Sequence, residues 1–117
     1  MREPTDAVLL RIFFGEADQY HGRPLYEAMV LKAREMQLAG ATVLRGPMGF
    51  GRSSRLHTAK ILRLSEDLPL IVEIVDEEAK VMAFLEVLEP MMGSCLVTTE
   101  KVKIWRYGEA VAAPSGG

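Results

Sequence analysis

The spacing of apolar and polar positions divides the chain into extended and helical stretches. Ala7–Phe14 is apolar at Val8, Leu10, Ile12 and Phe14, and again at Ala7, Leu9 and Phe13, with Arg11 as its charge. Successive side chains of a strand point to opposite faces, so this run predicts a strand covered on both sides. Leu70–Val75 repeats the pattern around Glu73, which is expected to pair with a lysine or arginine across the sheet. Ala41–Arg45 reads as a shorter strand. A last strand starts loosely at Leu96 and firms over Glu100–Arg106, where Lys101 and Lys103 alternate with Val102 and Ile104.

Two stretches carry helical spacing instead. Leu25, Ala28, Met29, Ala33 and Met36 fall on one stripe, opened by Arg23-Pro24 and capped by Gly40. Leu31 and Leu38 lie off that stripe and are expected to be either singly exposed or, in preference, part of a subunit contact. Asp76 is placed as the cap of the second helix, with Glu77 and Glu78 in its first turn. Val81, Phe84, Leu85 and Leu88 form the buried stripe, and Pro90 and Gly93 end the helix. Glu16–Gly22 reads as a polar loop.

The resulting order is β-α-β-β-α-β. It predicts an α+β, ferredoxin-like domain: a four-stranded antiparallel sheet with two helices on one face. One helical layer covers one face only, so another subunit is expected on the other.

The connection between the second and third strands runs from Gly46 to about Pro69, against roughly 2–5 residues for an ordinary hairpin. It holds Gly46, Gly49 and Gly51 beside Arg45, Arg52, Arg55 and His57. Glycines let a ligand approach main-chain N–H groups, and arginine forks add bidentate contacts to phosphate. Phe50, between glycines, either stacks on a base or packs the loop. Further on, Ile61–Leu64 reads as a short extended piece and Ser65–Pro69 as a turn.

Composition narrows the ligand. The 117 residues suffice for one domain, 49% apolar and 26% charged, with a net charge of -2. That balance gives no global attraction to nucleic acid, so any anion site must be a local cluster. Cys95 is a lone cysteine in an apolar run, expected as a buried thiol. With no export-type run at Met1–Asp6 and no apolar stretch near the roughly 20 residues of a membrane span, the chain is expected to be cytoplasmic. Residues 1–6 read as an N-terminal arm, 7–107 as the domain and 108–117 as a flexible tail.

Gly49-Phe50-Gly51-Arg52, followed by Arg55 and His57-Thr58, resembles the start of the T-loop of PII signalling proteins. Leu68-Pro69 before Leu70–Asp76 is similar to the PII strand that follows, and Arg106-Tyr107-Gly108-Glu109 to the segment closing the PII core. A closer resemblance is to the PII-like family called domain of unknown function 190. It rests on Gly22–Ala28, Thr42–Gly46, Gly49–Gly51, His57–Ala59 and Leu64–Pro69, and spans roughly residues 6–107.

This resemblance implies a PII-like homotrimer with an adenine nucleotide in the cleft between subunits. The long loop, the turn after the second helix and the last strand would line it. The ligand residues so implied are Arg45, Gly46, Gly49, Phe50, Gly51, Arg52, Arg55, His57, Gly93 and Arg106. PII proteins hold triphosphate with a glycine-rich, lysine-bearing segment after the second helix. Here Glu89–Cys95 stands in its place, so AMP or ADP is expected rather than ATP. Ile61 stands where PII carries a modifiable tyrosine, and Ile104 where it carries a second C-terminal arginine. Family association also implies a membrane channel or transporter as partner, a fluoride exporter in particular.

No catalytic constellation is visible, and His21 and His57 share no metal-ligand spacing. A regulatory binding module is therefore the first expectation, with no firm cofactor and no metal. Two alternatives stand beside it: a small enzyme acting on a phosphorylated substrate with His57 as general base, and a metal-responsive trimer of the CutA-like kind.

Overall fold

A computed structural model describes residues 3–50 and 67–106. Its elements are β1 (Thr5–Gly15), β2 (Gln19–Tyr20), β3 (Arg23–Pro24), α1 (Leu25–Glu35), β4 (Thr42–Arg45), β5 (Pro69–Asp76), α2 (Glu78–Met92) and β6 (Leu96–Ile104). The main sheet has the order β4-β5-β1-β6 and every pairing is antiparallel. This is the ferredoxin-like α+β arrangement that the periodicity predicts.

The core lies between one sheet face and the two helices. Val8, Leu10 and Ile12 of β1 and Leu70, Val72 and Ile74 of β5 are buried there. They meet Leu25, Met29 and Ala33 of α1 and Val81, Phe84 and Leu88 of α2. Each set recurs at its element's own period, two in the strands and three to four in the helices.

The opposite face carries Leu9, Arg11 and Phe13 of β1, beside Ile71, Glu73 and Val75 of β5. No helix covers it. One cross-sheet row is apolar throughout: Leu44, Ile71, Phe13 and Leu96 are successive partners. The next row holds the ion pairs. Arg11 Nε donates to Glu73 Oε2 at 2.8 Å and its Nη1 to Glu100 Oε1 at 2.9 Å. These bonds, first to Glu73 and then to Glu100, hold the guanidinium above its ordinary pKa. Glu73 thus has the cross-strand arginine its apolar setting calls for.

Several local expectations change. Between β1 and α1 the polar stretch folds into the β2–β3 hairpin, turned by His21 and Gly22 at φ 52° and 77°. Two positive φ values in a row suit the two-residue turn that matches strand twist. Helix α1 ends at Glu35 rather than near Gly40. Gln37 takes the left-handed position at φ 61°, and Leu38 N–H closes the turn on Ala33 O at 3.0 Å. Leu38 then packs against the core, so its place is under the helix end and not at a subunit contact.

Asp76 is not a helix cap but the last residue of β5, buried. Its carboxylate accepts from Ala39 N–H at 2.8 Å and Glu77 N–H at 2.7 Å. It thereby ties the α1–β4 link to the start of α2. Pro90 lies inside α2, which runs on to Met92. Proline removes one helix hydrogen bond. Pro90 and Glu86 are both on the exposed side, where water serves the freed carbonyl, and Met91 and Met92 gain core contact from the extra turn. Gly93, at φ 51°, does end the helix. The expected extended piece Ile61–Leu64 and the residues Ser65 and Glu66 lie outside the described residues.

Gln37→Gly removes a side chain from a left-handed position, at no cost in described side-chain contacts. It should raise stability by roughly 0.5–1 kcal/mol in urea denaturation. Gly40→Ala, where an added Cβ meets nothing within 4 Å, should leave the midpoint unchanged.

Candidate functional site

Three connections meet at one end of the main sheet. Strand β1 arrives there at Gly15, β4 leaves it at Arg45, the long loop re-enters at Pro69, and α2 hands over to β6 through Gly93–Cys95. The register fixes this: Gly15 pairs with Pro69, and Arg45 with Leu70.

The base of the long loop is closed by main-chain bonds. Gly46 N–H donates to Pro69 O at 2.8 Å, joining the outgoing and returning limbs. Both glycines here sit against proline. A Cβ on Gly46 would stand 2.9 Å from Pro69 Cγ, and one on Gly49 would stand 3.1 Å from the same atom. Their small size lets the two limbs approach. Phe50 is exposed, at 69% of its full area, so it does not pack the described body.

The end of β1 is bonded to the returning limb. Glu16 N–H donates to Leu68 O at 2.7 Å, and Ala17 N–H to Asp67 Oδ1 at 3.0 Å. Asp18 turns the chain, accepting from Gly15 N–H at 3.1 Å through Oδ2 and from Leu25 N–H at 2.8 Å through its carbonyl. Glu16 also reaches the outgoing limb, where its Oε2 accepts from Arg45 Nη2. Its other oxygen, Oε1, is buried and has no hydrogen-bond partner among the described residues. Glu16 therefore contacts both limbs, one through its main chain and one through its side chain.

Cys95 sits half-buried at the α2–β6 turn. Burial, and then the negative charge of Asp18, push its thiol up to about 11. It is thus a poor nucleophile at neutral pH, though half-buried where the sequence predicts a buried thiol.

Of the ligand residues implied by sequence, the structure brings Arg45, Gly46, Gly49, Phe50 and Gly93 to this end of the sheet. Arg106 follows the far end of β6, beyond the Thr5–Ile104 pair, while β6 begins at Leu96 beside Phe13. The nine residues of β6, at about 3.3 Å each, separate it from the loop base of its own chain. Gly51, Arg52, Arg55 and His57 lie outside the described residues. Sequence reasoning passed over Glu16, Asp18 and Asp67, which sit in what read as a polar loop and a turn. Only their nearness to strand ends marked them. No group of three or more histidine, cysteine, aspartate or glutamate side chains among the described residues could hold a metal ion. No described helix is long and apolar enough to cross a membrane.

Comparison with known proteins gives a consistent picture. The model of the family DUF190, described as an uncharacterized ACR, matches residues 7–104. Two relatives, both called UPF0166 protein and both from Aquifex aeolicus, are 38% and 33% identical. Those matches cover 82% and 84% of this chain, and 90% and 96% of the relatives. Among solved structures, the nitrogen regulatory PII-like protein CPII of Thiomonas intermedia is similar when bound to ADP, AMP and bicarbonate. That likeness has a TM-score of 0.66 at 16% identity, covering 89% of this chain and 92% of that one. The apo form of CPII gives 0.60 at 14% identity, covering 87% and 95%.

Gly46→Ala forces Pro69 to move and should cost about 1–3 kcal/mol in thermal or urea denaturation. The Cys95 thiol should react slowly with iodoacetamide at pH 7–8. Its rate should rise about tenfold per pH unit until the midpoint at about 11.

Proposed function

The chain belongs to the DUF190 family, and from that membership we propose that it is a PII-like regulatory protein binding an adenine nucleotide at the base of the long 46–69 loop. One observation carries the reading. Arg45, two close-packed glycines and an exposed Phe50 sit together where the loop leaves the sheet, at the end that also receives the α2–β6 turn. A guanidinium, approachable backbone and a free aromatic ring are the parts that phosphate, sugar and base call for. CPII, which shares the fold, is seen with ADP and AMP.

AMP or ADP is the proposed ligand, in preference to ATP. The α2–β6 turn is Gly93-Ser94-Cys95, with no lysine to meet a third phosphate. The protein acts as a homotrimer. The uncovered sheet face supports this, because its row Leu44, Ile71, Phe13 and Leu96 is an apolar strip suited to burial against other copies. Assembly would also bring a neighbour's Arg106 within reach of the loop base. The loop serves as the docking element for a cytoplasmic partner face, with a membrane channel or transporter such as a fluoride exporter as the family-based candidate. We read the chain as a binding module and not an enzyme; the buried Asp76 and part-buried Glu73 are engaged in structural bonds.

Calorimetry with AMP, ADP and ATP, combined with light scattering on the same sample, tests this. Saturable heat with AMP or ADP, weaker heat with ATP, and a mass about three times the 13.0 kDa chain are expected. A monomer silent toward all three at high micromolar concentration sinks the reading.

A further inference from the structure

We propose that Glu16 is an internal competitor for Arg45: its carboxylate occupies the guanidinium in the empty protein, and an anionic ligand must displace it. The inference deepens the reading of the loop base as a nucleotide site and rests on it. It assigns to Glu16 the setting of phosphate affinity.

The geometry supplies both halves of an exchange. Arg45 is the accessible partner, its side chain 57% exposed, whereas that of Glu16 is 22% exposed. An anion arriving from solvent therefore meets Arg45 first, and finds one edge of its fork already held by Glu16 Oε2. The guanidinium satisfies planar, two-oxygen anions best, and a phosphate presents the same pair of oxygens as a carboxylate. The two compete for the Nη2 donor of Arg45.

Displacement is favoured by the state of the other oxygen. Glu16 Oε1 is buried without a donor among the described residues, so the carboxylate gives up no second bond to them when it swings away. A buried, unpaired acceptor carries a desolvation cost that water relieves on exposure. The main chain of Glu16 stays anchored through its N–H on Leu68 O, so only the side chain need rotate.

The test is the affinity of the full-length protein for AMP, ADP and adenosine, in wild type and in Glu16→Gln. The amide keeps the size and removes the charge. AMP and ADP should bind about threefold or more tightly to Glu16→Gln, while adenosine, which has no phosphate, should be unchanged. Adding Arg45→Gln should erase the gain, so that the two substitutions are non-additive. Circular dichroism and light scattering check that the variants keep the wild-type fold and assembly. If one does not, Glu16→Asp, whose shorter carboxylate keeps the charge but loosens the pair, should bind AMP more tightly and leave adenosine unchanged, and the absence of any AMP gain overturns the inference. Equal or weaker AMP binding by a folded Glu16→Gln, or a matching gain for adenosine, overturns the competition and leaves the nucleotide site standing. Silence of wild type and variant toward every nucleotide overturns both.

Discussion

Strand β1 is the member on which the rest depends. It pairs along one edge with β5 from Val8 to Gly15 and along the other with β6 from Thr5 to Phe13. Its one face, through Val8, Leu10 and Ile12, lies under both helices and gives the core its floor. A strand bonded on both edges has no freedom to slip, because a shift by one residue would exchange every buried side chain for an outward one. The position of Gly15 is therefore fixed, and with it the point where the loop limbs are gathered.

The outer face shows how charge is accommodated in the same strand. Arg11 lies between Glu73 and Glu100, between an apolar row on one side and Val75 and Leu9 on the other. Partly exposed pairs contribute little to stability in water. Their value here is geometric, since Arg11 and Glu73 are direct partners only in the observed register. The network and the hydrophobic pattern specify the same alignment, an agreement between levels that marks a well-specified fold.

The loop base follows from that alignment. Gly15 opposite Pro69 sets the returning limb, and Gly46 bonded to Pro69 sets the outgoing one. Glu16, the residue just after β1, then falls between the two. It makes a main-chain bond to one and a side-chain bond to the other. A ligand site at the mouth of a long loop needs a rigid foundation, and here the foundation is the central strand itself.

The chain's own periodicities determined the order of the main-sheet strands and helices, the fold class and nearly the whole core, because burial of one face imprints a period of two on strands and 3.6 on helices. They also marked Glu73 as needing a cation and Arg45, Gly46 and Gly49 as a group, since a lone charge in an apolar strand and glycines clustered with arginines are local signals. Three things were decided only in three dimensions. Helix α1 stops at Glu35 and not near Gly40, and the turn at Gln37 lets Leu38 gain core contact. Asp76 serves Ala39, a residue far away in the chain, and so reads locally as a cap. Glu16 meets Arg45 because the strand order β4-β5-β1 brings two remote strand ends together. Partners of that kind leave no trace in spacing, since the distance between them is set by the sheet and not by the chain.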